Sequence, residues 1–163
     1  MWPSYMKIQI ATDHAIRILE YLYENKGQLH TASTISKAIG ITCPSFAKIA
    51  GVLRAHGLIK TEQGRNGGYK LGKPAYEISI YDVFLAIEGD MQISHCFDKD
   101  DEPCTKGEKE HCGLRRFLYN LQEDVIIATM SKMRISDLAH SDEDKVASDT
   151  DLQKQQSRFS AIA

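Results

Sequence analysis

Three cysteines, Cys96, Cys104 and Cys112, are the residues whose type and spacing point most directly to chemistry, because seven residues separate each from the next. The surrounding segment is acidic and rich in turn-forming residues, namely Asp98, Asp100, Asp101, Glu102, Pro103 and Gly107. Such a composition does not build a hydrophobic core. Thiolates are soft ligands for transition metals and also react as redox groups. The segment therefore predicts a metal site or a thiol-based sensor, and both remain open at this point.

The overall composition predicts that these cysteines lie in a reducing compartment. The 163 residues suffice for one domain with an appendage, and 42% of them are hydrophobic. Neither a run of eighteen apolar residues nor a leader-like start occurs, so we expect a cytoplasmic protein without a membrane span. There, cysteines are more often free, catalytic or metal-bound than paired in disulfides. Cys43 is far along the chain from the other three, and we expect it to pack or to have no role.

Charge divides the chain into two unequal parts, although the net charge is only -2. Residues 7–72 contain nine Lys and Arg against four Asp and Glu, whereas the remaining residues contain eleven against eighteen. A basic region on an acidic body suits a protein that binds a polyanion, because concentrated positive charge attracts phosphate. Ordinary scatter of surface charge is the alternative that charge alone leaves open.

The spacing of apolar residues predicts three short helices in the basic part. The first ends near Asn25 and has one apolar face, formed by Ala11, Ala15, Ile18, Leu19 and Leu22. The second is capped by Thr31 and stopped by Gly40. The third starts after Thr42 and ends before Gly57. Three short helices with tight links indicate a helix-turn-helix.

A β-hairpin is predicted directly after the third helix. Residues 58–62 and 69–71 have strand character, and the intervening Gly-Arg-Asn-Gly-Gly sequence is a turn. A hairpin in this place is typical of a winged helix, in which one helix enters the major groove of DNA. A nucleotide-phosphate loop is disfavoured, since the strand-loop-helix context and the GK[ST] ending are missing from the sequence. The predicted fold class is therefore mostly α with a small β-hairpin wing.

Five polar residues of this region are candidates for contact with DNA. Ser45 and Lys48 lie near the start of the third helix, off its apolar face, and are suited to base edges or phosphate. Arg54 is a candidate for phosphate, although a solvated helix face explains it equally well. Arg65 and Asn66 lie at the tip of the hairpin, where an exposed cation is suited to the minor groove or the backbone of DNA.

The second part of the chain predicts two further helices separated by the cysteine loop, residues 90–112. The first has a capping box formed by Ser79 and Asp82 and ends at Gly89. The second runs from about Gly113 to Ser131 and carries a broad apolar face, with Leu114, Phe117, Leu118, Leu121, Val125, Ile126, Ile127, Ala128 and Met130. One small domain has few places to bury such a face, so we expect a homodimer. Residues 141–163 are polar and are expected to form a flexible tail.

The sequence resembles the Rrf-two family of bacterial winged-helix regulators over roughly residues 6–140. The motifs that carry the resemblance are Met6-Lys7-Ile8, TDHAIRIL (12–19), GRNGGYKLGKPA (64–75), IYDV (80–83) and the three-cysteine loop. The resemblance suggests Met6 as the working start of the chain. In cluster-binding members, three loop cysteines hold an iron-sulfur cluster, which soft anionic thiolates stabilise. By position, Cys96, Cys104 and Cys112 are the implied ligands of a 4Fe-4S or 2Fe-2S cluster.

The resemblance also implies a fourth ligand that is not a cysteine. In one group of members it is a histidine three residues after the last cysteine, but Arg115 occupies that position here and stays protonated. In another group it is an acidic residue in the first helix of the partner subunit, and the matching residue is Asp13. We therefore expect Asp13 to be the fourth ligand; the runners-up are His14, His95 and His111.

Together these features predict a homodimeric regulator, expected to be a repressor, that binds a pseudo-palindromic site in double-stranded DNA. Its affinity is expected to respond to nitric oxide, redox state or cluster supply. The alternatives are control by zinc, by thiol oxidation or by a partner protein without a cluster; an enzyme is disfavoured because no nucleophile-base constellation is visible. The predicted divisions are the DNA-binding head (6–75), a connecting helix with the cysteine loop (76–112), a dimerisation helix (113–140) and the tail (141–163).

Overall fold

The computed structural model of the protein describes residues 8–64, 67–94, 97 and 111–138. Its first part contains three helices, α1 (Ile10–Glu24), α2 (Ala32–Ile39) and α3 (Cys43–Ala55). Two predicted caps are confirmed, since Thr31 accepts the N–H of Thr34 at 3.2 Å and Thr42 accepts the N–H of Ser45 at 3.3 Å. Gly40 ends α2 in the left-handed conformation, with a φ of +74°.

The predicted hairpin is confirmed by two antiparallel strands, β1 (Ile59–Glu62) and β2 (Gly68–Leu71). Ile59 lies opposite Leu71 and Glu62 lies opposite Gly68, so the pairing extends over the full length of both strands. Arg65 and Asn66, at the predicted tip, lie outside the described residues. The hairpin follows α3 directly, which is the arrangement of a winged helix.

The wing is also held against the rest of the domain by close backbone contacts. His30 and Tyr69 exchange two backbone hydrogen bonds, at 3.2 Å and 2.9 Å. A Cβ atom on Gly68 would lie 2.8 Å from the carbonyl oxygen of His30, and one on Gly72 would lie 2.1 Å from that of Gly57. Only glycine permits approaches this close, so the wing has a fixed place against the helices.

One hydrophobic core joins the three helices, the wing and the elements that follow it. Its buried residues are Ala15, Ile18, Leu19, Leu22, Ile35, Phe46, Ile49, Ala50, Leu53, Leu58, Ile59, Ala75, Ile78, Val83 and Ile135. Phe46 is fully buried and meets the ring of Tyr69 edge-on, with centroids 4.9 Å apart. Among the described residues, no single helix is long and apolar enough to cross a membrane; α2 and α3 meet that test only as a pair bent by 107°.

Beyond the wing, a 3-10 turn (Ala75–Glu77) leads into α4 (Ile80–Glu88). The predicted capping box is confirmed: Ser79 Oγ accepts the N–H of Asp82 at 3.0 Å, and Asp82 Oδ2 accepts the N–H of Ser79 at 2.8 Å. Gly89 follows the helix with a φ of +82°. The cysteine loop therefore begins at a defined turn away from α4.

The predicted long helix is present but is not uniform. It consists of α5 (Gly113–Asn120), a π-helical segment (Leu121–Ile127) and α6 (Ala128–Lys132), which follow one another without a break. The apolar spacing predicted only an α-helix here, whereas wider turns are found in the middle of the helix. Segments of π-helix are rare and occur frequently at functional sites.

The chain returns to the core after the long helix. A short helix, α7 (Ile135–Leu138), follows a backbone pairing in which Ile80 N–H donates to Met133 O and Ile135 N–H donates to Ile78 O, both at 2.9 Å. The side chain of Ile135 is fully buried in the same core as α1 and α3. The predicted division into 6–75, 76–112, 113–140 and 141–163 stays a prediction, and residues 139–163 lie outside the described part of the chain.

Candidate functional site

The outer face of α3 presents the first group of predicted site residues. Ser45, Lys48 and Arg54 are all exposed. The hydroxyl of Ser45 accepts a hydrogen bond from that of Thr42 at 2.9 Å, so the start of the helix is rigidly formed. A short side chain and a cation near a helix start are suited to the major groove, where the first residues of a recognition helix meet base edges.

Two cations on the wing escaped the sequence analysis. Lys60 on β1 and Lys70 on β2 lie directly opposite each other and are both exposed. Like charges in this register disfavour the hairpin, and Lys70 is partly neutralised by an ion pair with Glu62. The alternation of the strand could have revealed Lys60 as an outward cation. Lys60 therefore adds an exposed cation to the wing.

Asp13 lies in the first turn of α1 on the protein surface. Its Oδ2 receives a hydrogen bond from Nε of Arg17 at 2.9 Å, and the two side chains are 51% and 57% exposed. An exposed ion pair of this kind stabilises a protein by only about 0–1 kcal/mol. The carboxylate is therefore accessible to another molecule and is held by a contact that exchanges easily.

Cys112 is the only cysteine of the predicted triplet within the described residues. It is half-buried and occupies the position before α5, where its carbonyl oxygen accepts the N–H of Arg116 at 3.2 Å. The start of a helix favours negative charge, which suits a thiolate ligand. Cys96, Cys104 and His95 lie outside the described residues, while His14 is half-buried on α1 and His111 is exposed beside Cys112.

The residues on either side of Cys96 are attached to the long helix. Ile93 N–H donates to Oε1 of Gln122 at 3.1 Å, and the Gln122 side chain is buried in the π-helical segment. The ring of Phe97 meets that of Tyr119 edge-on, with centroids 6.0 Å apart. The same helix begins at Gly113, directly after Cys112. Both ends of the cysteine loop are thus fixed to one element, although they are far apart in sequence.

A carboxylate from α4 holds the start of α1. Oε1 of Glu88 accepts the backbone N–H of Gln9 at 3.0 Å and also the hydroxyl of the fully buried Thr12. Glu88 is the last residue of α4, immediately before the cysteine loop. The helix that leads into the loop is therefore joined to the helix that carries Asp13 by this contact, which the sequence analysis missed. The sequence did offer one signal for this contact: an acidic residue at the C-terminal end of a helix, where the helix dipole disfavours negative charge.

Tyr81 lies on α4 near the entrance of the cysteine loop. Burial, followed by the negative charges of Asp90 and Glu123, raises the pKa of Tyr81 above its ordinary value of 10.0. The phenol therefore remains a neutral hydrogen-bond donor at physiological pH. Glu123 also accepts a hydrogen bond from the side chain of Gln122 at 3.2 Å.

The predicted donor set fits an iron-sulfur cluster by its chemistry. Three thiolates with one exchangeable carboxylate supply soft anionic ligands and a single labile position. Among the described residues, no group of three or more His, Cys, Asp and Glu side chains is close enough together to hold a metal ion. Of the four predicted ligands, Asp13 and Cys112 belong to that described part.

The helix-turn-helix, the wing and the long helix behind them define a winged-helix transcription regulator. The family follows from comparison with known proteins, since residues 8–141 match Rrf2, described as "Iron-dependent Transcriptional regulator". The chain belongs to this family, the Rrf-two family that its motifs resemble. It is therefore a regulator of transcription and not an enzyme.

Individual relatives agree with this assignment. The HTH-type transcriptional regulator NsrR of Bacillus subtilis is 31% identical over 140 residues, which are 85% of this chain and 94% of that protein. The structure of CymR (YrzC), the global cysteine regulator of B. subtilis, is similar with a TM-score of 0.64 at 22% identity, and covers 83% of this chain and 97% of that one. The structure of T. potens IscR is similar with a TM-score of 0.63 at 17% identity, and the match covers 82% of this chain and 85% of that one. The two structural similarities concern the fold alone.

Proposed function

We propose that the protein is a homodimeric repressor whose affinity for a pseudo-palindromic DNA site depends on an iron-sulfur cluster. Cys96, Cys104 and Cys112 of one subunit and Asp13 of its partner are the proposed ligands. The observation that carries this proposal is the attachment of both ends of the cysteine loop to one helix, through Ile93 and Phe97 at one end and Cys112 at the other. The match to the family described as "Iron-dependent Transcriptional regulator" and the relative named HTH-type transcriptional regulator NsrR add support.

The DNA surface in this proposal is formed by α3 and the wing. Ser45 and Lys48 meet base edges or phosphate, Arg54 meets phosphate, and Arg65 with Asn66 reaches an adjacent groove or backbone. The exposure of Ser45, Lys48 and Arg54 on one helix supports this arrangement. Because cations meet phosphates, we expect affinity to fall steeply as the salt concentration rises.

The dimer in this proposal is formed by the long helix. Leu114, Phe117 and Val125 remain 62%, 62% and 53% exposed on it, although their spacing is that of a buried helix face. Covering such apolar area contributes roughly 25 cal/mol per Å². A second copy of the chain supplies a complementary face, and two-fold symmetry presents two copies of α3 to the two halves of a palindrome.

The switch in this proposal depends on where the Asp13 carboxylate is held. A bound cluster would supply a centre that is reactive toward nitric oxide and oxidants, and the Asp13 carboxylate would be the most exchangeable of its proposed ligands. When Asp13 is released, Arg17 offers it an alternative partner at the surface of α1. When Asp13 is a cluster ligand it links the two subunits, and when it pairs with Arg17 this link is lost. The populations of these two states then determine how the two α3 helices are placed on DNA.

Anaerobic purification with visible absorption spectra and analysis of iron and sulfide tests the cluster. We expect a coloured wild-type protein and a colourless but folded Cys112→Ala variant. The matched control is Cys43→Ala, because Cys43 is exposed at the start of α3 and outside the proposed ligand set. A colourless wild type without sulfide, even after reconstitution, would contradict the proposal.

A regulator of the same fold without a cluster is the second candidate. It would be controlled by zinc, by thiol oxidation or by a partner protein, and its fold is shared with the global cysteine regulator CymR. This candidate predicts specific DNA binding by a colourless protein. Zinc analysis and DNA binding with and without thiol reductant then separate its three forms.

A further inference from the structure

The start of α1 is stabilised from a distance and not by its own cap residue. In the described part of the chain, the Gln9 side chain makes no capping hydrogen bond, whereas Thr31, Thr42 and Ser79 each cap the helix that follows them. The Glu88 carboxylate takes this role at α1 by accepting the N–H of Gln9 and the hydroxyl of Thr12. The first turn of α1 therefore depends on the position of the end of α4.

Glu88 is unfavourably placed for the helix to which it belongs. It is the last residue of α4, where the helix dipole disfavours negative charge. At the start of α1 the same charge is favourable, and it satisfies a hydroxyl that is fully buried. The interaction that explains the carboxylate is thus the contact with α1.

Glu88 is also close in sequence to the fixed part of the cysteine loop. Residues 89–92 alone separate it from Ile93, whose N–H is bound by the buried Gln122. Five Cα–Cα steps join Glu88 to Ile93, so the two attachments lie within roughly 18 Å of each other. A displacement of the loop is therefore transmitted to Glu88, and from there to Thr12 and the adjacent Asp13.

We propose that Glu88 is a positioning residue that couples the cysteine loop to the first turn of α1 and so sets where Asp13 is presented. This inference rests on the proposed cluster-dependent function and adds a connection within one subunit. The loop of each subunit would then influence the ligand that it offers to its partner. Loss of the Glu88 carboxylate should weaken this coupling without removing any ligand or any DNA contact.

The test compares Glu88→Ala with Glu77→Ala, which removes an exposed carboxylate from the nearby 3-10 turn. DNA affinity is measured for the cluster-bound and cluster-free forms of each protein, together with the rate of cluster loss. For Glu88→Ala we expect cluster-free affinity within about twofold of wild type, and a ratio between the two forms that falls toward 1 from about 5–150, the usual range for coupled sites. Cluster loss should be faster. Ratios and rates equal to those of Glu77→Ala would overturn the proposal.

Hydrogen exchange decides the coupling independently of the cluster. In cluster-free protein, Thr12→Val removes one donor to Glu88 and should speed amide exchange in residues 89–94 several-fold, while the exposed control Thr129→Val should not. The hydrogen-exchange measurement on Thr12→Val still tests the coupling if Glu88→Ala fails to fold. A colourless wild type would remove the proposed function but leave this readout intact, and unchanged exchange in residues 89–94 would overturn the coupling.

Discussion

The two helices of the helix-turn-helix, α2 and α3, are held in place differently from α1, the helix that carries Asp13. α2 and α3 are capped by Thr31 and Thr42, which lie three residues from the N–H groups that they accept. The start of α1 and the cysteine loop depend instead on Glu88 and Gln122, through contacts that span 79 and 29 residues. The caps of α2 and α3 are thus defined by local sequence, whereas the start of α1 and the cysteine loop depend on distant parts of the chain. In the proposed function, a signal at the cysteine loop then shifts the start of α1 while α2 and α3 keep their caps.

The largest expected loss of stability comes from a core residue that joins the end of the chain to α1. Ile135 lies far from α1 in sequence yet is fully buried beside it, so Ile135→Ala should lower the free energy of unfolding by about 2–5 kcal/mol. Chemical denaturation followed by circular dichroism measures the change. Met133→Ala, at an exposed position two residues earlier, is the matched control. Equal stability of the two variants would show that the returning chain contributes nothing to the core.

The next largest effect is expected at the close backbone approach that holds the wing. A Cβ on Gly72 would overlap the carbonyl oxygen of Gly57, so Gly72→Ala should destabilise the protein by about 1–3 kcal/mol and displace the wing. Gly51→Ala is the control: it lies on the exposed face of α3, and among the described residues no neighbour lies within 4 Å of its Cβ position beyond its own helix backbone. It should stabilise the helix by about 0.5–1 kcal/mol. Thermal denaturation of both variants checks the opposite signs.

A smaller effect tests the caps directly. Thr42→Ala removes a side-chain cap and should lower the free energy of unfolding by about 1 kcal/mol. Gln9→Ala at the equivalent position of α1 should change it by less than about 0.5 kcal/mol, because Glu88 binds the backbone of Gln9 and not its side chain. Paired urea titrations measure both values. A large loss for Gln9→Ala would mean that α1 is capped locally after all.

The smallest effect on stability is expected at Arg17. Its exposed ion pair with Asp13 contributes about 0–1 kcal/mol, so Arg17→Ala should leave the unfolding transition nearly unchanged. If Arg17 competes for the Asp13 carboxylate, the same variant should retain the proposed cluster longer. The decay of visible absorption in air, compared with the surface control Lys37→Ala on α2, measures this retention. Faster decay would contradict the competition.

Sequence alone predicted the elements whose signals lie within a few residues. The caps at Thr31, Thr42 and Ser79 and the hairpin each depend on neighbouring residues, and all are present. The π-helical segment could not be foreseen, because its apolar spacing also fits an α-helix. The four residues of α7 are too few for periodicity to be visible, and the burial of Ile135 depends on a chain reversal that no local pattern announces.

The candidate site was predictable to the extent that residue type determines chemistry. Ser45, Lys48 and Arg54 could be found because apolar spacing leaves them on the outside of α3, and they are exposed. The contact between Thr12 and Glu88 spans 76 residues and becomes visible only once α1 and α4 are packed together. The proposed ligands Cys96, Cys104, Cys112 and Asp13 stay a prediction from motif and position, as do Arg65 and Asn66 for DNA.

The return of the chain to the core has a consequence for synthesis on the ribosome. The wing emerges first, but the core that supports it is completed only when Ile135 arrives, more than sixty residues after Leu71. At about 5–20 residues per second, this interval lasts roughly 3–13 seconds. The cysteine loop is made within that interval. An incomplete product that stops before residue 135 therefore lacks part of the core, so a nascent chain should not complete the core behind its wing before the cysteine loop has been translated.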